Sequence, residues 1–173
     1  VAADSNGDLY LGKVTVDITS ANVALTISDP IIVDYDNQNT STLASVSGSA
    51  GTECDGVSVS DTTYQCGDSM IFTFLSPEIV EKGETRTFIV KATVNDGITT
   101  GTSNLSLEMA GDDDTDASAS AATAFSSVSG DFIWGDASGD DPDSLTEAQW
   151  VNGFQIDYLG QDSVNSEKDN GSS

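Results

Sequence analysis

Apolar and polar residues alternate in several short segments of the first 110 positions, and helical periodicity is nearly absent. In the first clear segment Tyr10, Val14, Val16 and Ile18 share one parity, which predicts a half-buried strand over Leu9–Ile18. The same criteria predict further strands around residues 23–27, 31–35, 43–46, 56–59, 70–74, 88–94 and 105–109. The one helical candidate is 144–151.

Turn residues divide these strands. Asp29-Pro30 predicts a break between the second and third strands. Lys82-Gly83-Glu84 predicts the turn of a hairpin, and the two strands of that hairpin would point apolar residues inward: Met70, Phe72 and Phe74 on the first, and Phe88, Val90 and Val94 on the second. Many short strands separated by turns are typical of an antiparallel β-sandwich.

The segment around that turn, SPEIVEKGETRTFIVKATV, resembles the lysine-glycine-glutamate hairpin of immunoglobulin-like modules in bacterial and archaeal surface proteins. The resemblance implies an immunoglobulin-like β-sandwich. We therefore expect a sandwich core over 1–110, an acidic loop and aromatic strand extension packed on the sandwich over 111–160, and a polar tail over 161–173.

The net charge of the chain argues against two classes of binding partner. The chain has 5 Lys and Arg against 29 Asp and Glu, a net charge of −24, so repulsion opposes contact with nucleic acid or an anionic membrane. Membrane insertion is not expected, since no apolar run approaches the roughly 20 residues of a spanning helix. Excess negative charge also favours bound cations or a saline medium.

Catalytic signatures are missing from the sequence. There is no histidine, the commonest general base, and the acidic residues lie mostly in polar loops rather than in apolar pockets that would raise a carboxyl pKa. We therefore expect a protein that is not an enzyme.

Cys54 and Cys66 are the only cysteines, and they bracket a polar segment. With no histidine or further cysteine nearby, a zinc site is not expected. A disulfide is the favoured interpretation, and it would place the chain in an oxidising compartment outside the cytoplasm; two reduced core thiols are the alternative.

Two acidic clusters are candidate cation sites. In the first, Asp136, Ser138, Asp140 and Glu147 have the one-three-five-twelve spacing of an EF-type calcium loop. Asp141 stands where that loop needs glycine, and Asp143 stands where it usually has an aliphatic residue. We therefore expect a looser, oxygen-ligated calcium site among these residues, with a solvated acidic loop, or for Glu147 a helix-capping role with Ser144, as the alternatives.

The second cluster contains Asp112, Asp114 and Asp116, together with Asp113. Its alternative interpretation is a solvated loop, the usual role of a charge run. Separately, the acceptor pattern for N-glycosylation occurs at Asn39, Asn104 and Asn170.

A second resemblance lies in the first acidic cluster and its flanks. FIWGDAS, followed after an acidic spacer by QWVNGF, is similar to a Phe-x-Trp-x-Asp-x-Ser…Trp-x-Asn-Gly-(Tyr/Phe) element of large secreted surface proteins of uncultivated, small-genome bacteria. The spacer here is more acidic and lacks histidine. The resemblance implies a cell-surface protein and no catalytic residues.

These features predict an extracellular structural subunit of a filament or surface layer, assembled from copies of itself by β-strand addition and stabilised by calcium. Either Leu9–Ile18 or Phe154–Tyr158 would supply the added strand. The alternative is an adhesin or carbohydrate-binding module of a larger surface protein, in which Trp134 and Trp150, or Tyr35 and Tyr64, would stack on glycans. Exposed paired aromatics would favour that alternative, and buried tryptophans would favour the structural role.

Overall fold

A computed structural model describes residues 1–20, 25–38, 42–49, 63–65, 67–96, 104–112, 129–136 and 150–153. In these residues all regular structure is β-strand, arranged in two antiparallel sheets. This confirms the all-β antiparallel fold and is consistent with a β-sandwich. The immunoglobulin-like topology stays a prediction.

In chain order, the first seven described strands alternate between the two sheets, and the last two belong to the larger sheet. In chain order they are β1 (Leu9–Ser20), β2 (Leu25–Asp34), β3 (Ala44–Ser49), β4 (Thr63–Gln65), β5 (Ser69–Val80), β6 (Phe88–Asp96), β7 (Leu105–Met109), β8 (Phe132–Asp136) and β9 (Trp150–Asn152). The larger sheet has the order β3-β5-β1-β8-β9, with β7 also paired to β1, and the smaller sheet has the order β4-β2-β6.

The N-terminal strand β1 lies at the centre of the larger sheet. One edge of β1 pairs with β5, while its other edge is shared, with β8 along Leu9–Val14 and β7 along Val16–Ser20. Because both edges of β1 are occupied within the chain, Leu9–Ile18 is not available to a neighbouring copy unless the larger sheet opens.

The hydrophobic core lies between the two sheets. Phe74 of β5 and Phe88 of β6 contact across it edge to face, with ring centroids 5.7 Å apart. The buried residues of the core cluster are Leu11, Val14, Val16, Ile18, Ile27, Ile32, Ala44, Tyr64, Met70, Phe72, Phe74 and Phe132.

A β-bulge changes the predicted faces of β1. The register shifts between Leu11 and Lys13, so Leu11 joins Val14 in the core, while Tyr10 is buried outside that cluster. Placing Tyr10 on the face of Val14 was therefore wrong, since an extra residue in a strand reverses the side-chain parity beyond it.

The predicted break at Asp29-Pro30 is instead a bulge inside one strand. β2 runs through both residues, and its register to β6 shifts between Ser28 and Ile31. Asp29 adopts a φ of 52°, in the left-handed region that Asp tolerates better than most residues. Proline is accommodated because a bulge leaves its missing N–H without consequence.

The predicted hairpin of 70–74 with 88–94 is wrong. β5 extends to Val80 and belongs to the larger sheet, whereas β6 pairs with β2 in the smaller sheet. The Lys82-Gly83-Glu84 turn therefore passes the chain from one sheet to the other. Gly83 has a φ of 75°, a conformation that glycine adopts without strain.

Two other predictions fall partly or wholly outside the described residues. The helical candidate 144–151 fails at its end, since Trp150 begins β9 and Val151 continues it. The strand expected around 56–59 lies outside the described residues.

Arg86, the only arginine in the sequence, joins the two sheets. Its guanidinium donates to the Asp34 carboxylate of β2, and it also donates to Glu78 Oε2 at 2.9 Å and the Ile79 carbonyl at 2.8 Å, both in β5. The guanidinium lies 5.1 Å from the centroid of the Phe88 ring. The hydrogen bond from Arg86 holds the pKa of the Asp34 carboxyl below its usual value of 3.8.

The substitution Arg86→Met should lower the free energy of unfolding by about 1–3 kcal/mol, because the partly buried carboxylates of Asp34 and Glu78 lose the cation that they share. Lys82→Met, which removes one positive charge at an exposed turn, is the matched control, and urea unfolding at pH 7 is the measurement. Equal losses in the two variants would contradict a specific bridge.

The same bridge has a pH signature. Since the folded-state pKa of Asp34 is lowered, the bridge stabilises the protein above the usual carboxyl pKa, and that contribution is lost as pH falls through the lowered value. The difference between wild type and Arg86→Met should therefore shrink when the pH is taken below 3.8.

Candidate functional site

The structure describes three of the predicted site residues. Asp136 is exposed at the end of β8, Asp112 is buried after β7, and Asn104 is exposed directly before β7. The others lie outside the described residues, and the predictions made for them stay predictions: Ser138, Asp140, Asp141, Asp143, Glu147, Asp114, Asp116, Cys54, Cys66, Asn39 and Asn170. Within the described part of the chain, no group of three or more His, Cys, Asp or Glu is placed to hold a metal ion.

Two separate segments, β7 and β8, occupy a single strand position beside β1. The main chain of Thr15 marks their junction: its carbonyl accepts from the Ala110 amide at 3.0 Å, and its own amide donates to the Asp131 carbonyl at 2.8 Å. The chain thus leaves the sheet after Ala110 and returns to the same line at Asp131.

The buried carboxylate of Asp112 closes this junction. It is 0% exposed and accepts from three main-chain amides, those of Asp131, Phe132 at 3.0 Å and Gly153 at 2.8 Å. We call these four groups the carboxylate clasp. The clasp ties the end of β7 to the start of β8 and to the residue after β9, and it satisfies a buried charge with charge-assisted hydrogen bonds.

The clasp requires glycine at position 130. Gly130 has a φ of 131°, and a Cβ there would lie 2.9 Å from Asp112 Oδ1 and 2.9 Å from Ile133 Cδ1. Any larger residue would push on the carboxylate itself. Asp112 thus has a structural role, separate from the metal-binding role predicted for it, which stays a prediction.

The neighbouring carboxyl of Asp131 is in an opposite electrostatic situation from that of Asp34. Burial raises its pKa above the usual 3.8, and the negative charges of Asp112 and Asp17 raise it further. Lys13 and the Thr15 hydroxyl act against this rise. The buried Thr15 hydroxyl makes no hydrogen bond of ordinary geometry with the described residues, so we read its effect on Asp131 as a longer-range one.

The tryptophans pack rather than form a platform. Trp150 is buried, with its ring centroid 6.4 Å from that of Tyr10, and the partly buried Trp134 donates its indole N–H to the Asn152 carbonyl at 3.1 Å. Of the other predicted pair, Tyr64 is buried and Tyr35 is exposed. Neither pair is exposed side by side.

An apolar cleft of about 320 Å³ opens between β6 and β7, at the edge of the sandwich. Buried Ile27 and Met70 line it together with Leu105, while Val94 and Leu107 line it and remain 50% and 44% exposed. Val94, predicted to be buried, therefore lies at an open edge where the two sheets separate.

Sequence reasoning missed the three donors of the clasp, at Asp131, Phe132 and Gly153, and the need for glycine at position 130. The available signal was weak: a carboxylate three residues after an apolar strand, and a glycine two residues before the next one. Arg86 was also missed, although a lone arginine among so many acidic residues was a usable signal.

Comparison with known proteins identifies no relative. No family model, no curated protein and no solved structure matches the chain. Among the described residues, none forms a helix long and apolar enough to cross a membrane.

Asp112→Asn should destabilise the protein by at least about 3 kcal/mol, because an amide cannot offer two negative oxygens to three buried N–H donors. Urea unfolding measures the loss, and hydrogen exchange should show faster exchange at residues 129–136 and 150–153. Glu108→Gln, the same change on an exposed side chain, is the control. Unchanged exchange in these segments would contradict the clasp.

Asp131→Asn should be more stable than wild type at neutral pH. A carboxyl whose folded-state pKa is raised opposes folding once it ionises, so wild-type stability falls as pH rises from 3.8 through the raised value. The advantage of the variant should therefore disappear when the pH is lowered below 3.8. Thermal unfolding at pH intervals tests this, and parallel profiles for the two proteins would disprove it.

Proposed function

We propose that this protein is a structural subunit of an extracellular filament or surface layer, in which copies associate through the edges of their sheets. One observation carries the proposal: β6 and β7 are the outer strands on either side of the apolar cleft, and each pairs with only one other described strand. Exposed strand edges with apolar side chains are the usual template for strand addition.

The packing of the aromatic residues favours this role over a glycan-binding module. A sugar platform needs adjacent exposed rings, but Trp150 and Tyr64 are buried, and the Trp134 indole N–H is already bonded. Tyr35 is left as an exposed ring without a described aromatic partner at stacking distance.

The charge of the chain places a condition on assembly. Copies that each carry −24 repel one another until cations screen or bind them. We therefore include calcium in the proposal, bound by the acidic residues of 136–147 and 112–116. Of the two segments expected to add to a neighbour, β1 is already paired on both edges, and 154–158 lies outside the described residues.

Electron microscopy of the purified chain, over a concentration series with millimolar calcium, should show ordered polymers. Adding a chelator should loosen or dissolve these polymers. A sample with magnesium in place of calcium, at the same concentration, is the control for ionic strength. A chain that stays monomeric at high concentration with calcium would contradict the proposed function. Polymers unaffected by the chelator would contradict the proposed binding of calcium but would leave the proposed structural role standing.

A further inference from the structure

We infer that β7 is a self-complementary contact, on which a second copy of this chain pairs antiparallel around Leu107 to join two larger sheets into one. The inference rests on the proposed function and names the surface and its partner.

The exposure of β7 is continuous. Leu105 is half-buried, and the four residues that follow it are all exposed, although the strand is hydrogen-bonded to β1. Leu107 and Met109 are large apolar residues left 44% and 40% exposed. Isolated exposed apolar residues are common, but alternating ones on an edge strand beside an apolar cleft indicate a contact surface.

The main-chain N–H and C=O groups of alternate residues in β7 are placed to pair with a second strand. The Ala110 amide points to β1, where it bonds the Thr15 carbonyl. Because main-chain direction alternates along an antiparallel strand, Ser106 and Glu108 also point to β1. Leu105, Leu107 and Met109 point to the opposite edge of β7, which no described strand occupies. Three residues are thus in position to exchange bonds with another strand.

The side chains then select a two-fold axis at Leu107. In that register Leu107 faces its own copy and Leu105 faces Met109, so the apolar residues of both strands lie on the cleft side. Glu108 faces Ser106 on the other side, so no two carboxylates are opposed. Glu108 already lies opposite Asp17 of β1, so an axis at Glu108 would line up four carboxylates in one row across the joined sheets, which destabilises the pairing.

The pairing closes the open edge of both molecules. Six apolar side chains would form one row beside the two clefts, next to Val94 of each β6. An axis of this kind gives a closed dimer, since the same surface is used by both copies. A filament or layer then needs a second, different contact elsewhere on the molecule.

Sedimentation equilibrium at several NaCl concentrations tests the inference. Association of the wild-type chain should strengthen with salt, because screening reduces the repulsion between copies. Leu107→Lys should weaken it at least about tenfold, since it buries two charges at the axis. Leu75→Lys is the matched control, because Leu75 is 71% exposed on the inner strand β5, away from the cleft.

A second variant tests the register. Ser106→Lys would place each new lysine opposite Glu108 of the other copy, and it should tighten the dimer by about two- to tenfold relative to Leu75→Lys. Circular dichroism and thermal unfolding should confirm that each variant is folded. Association of Leu107→Lys at wild-type strength, or a Ser106→Lys variant no tighter than the control, would overturn the inference.

The outcomes separate this inference from the proposed function. Polymers that persist in Leu107→Lys would overturn the β7 contact and leave the structural role standing. A wild-type chain that dimerises through β7 but forms nothing larger would support the β7 contact and contradict the proposed filament or layer.

Discussion

The larger sheet depends on one buried carboxylate. Two segments fill a single strand position beside β1, and such a position is stable only if the chain leaves and re-enters the sheet at a defined point. Asp112 provides that point by accepting main-chain amides from the start of β8 and from the residue after β9. Gly130 allows the close approach that this bonding needs. Without the clasp, the C-terminal strands would be held mainly by three pairs between β8 and β9 and by the contacts of β8 with β1.

Two carboxyls of the described residues lie in opposite electrostatic environments. At the Arg86 bridge, a cation shared by both sheets lowers the pKa of Asp34, so ionisation of that carboxyl supports folding. Beside the clasp, burial and neighbouring negative charges raise the pKa of Asp131, so its ionisation opposes folding. A chain with few cations uses its only arginine where it neutralises carboxylates from both sheets. The strand β7 carries a single carboxylate, at Glu108, which lies opposite Asp17 of β1.

Much of the strand content was predictable, whereas little of the site was. Alternation placed Met70, Phe72 and Phe74 in the core correctly, because burial of every second residue is a local property of a strand. It misplaced Tyr10 and broke β2 at Asp29-Pro30, because a bulge changes parity without leaving the sheet. Asp112 belonged to an acidic run whose usual interpretation is a solvated loop. Its burial follows from where β8 and β9 return to the sheet, and no local pattern encodes that return.

The sequence by itself determined that this is an acidic, antiparallel β-protein with an aromatic segment after its acidic loops. Only the tertiary structure decided which strands are neighbours. β5 and β6 resemble a hairpin in the sequence, but they lie in different sheets. The reason is physical: side-chain alternation reports which face of a strand is buried, whereas its main-chain hydrogen bonds can be satisfied by any strand. The choice of partner is made by contacts between distant residues, such as those of Arg86 across the two sheets and of Asp112 around the junction beside β1.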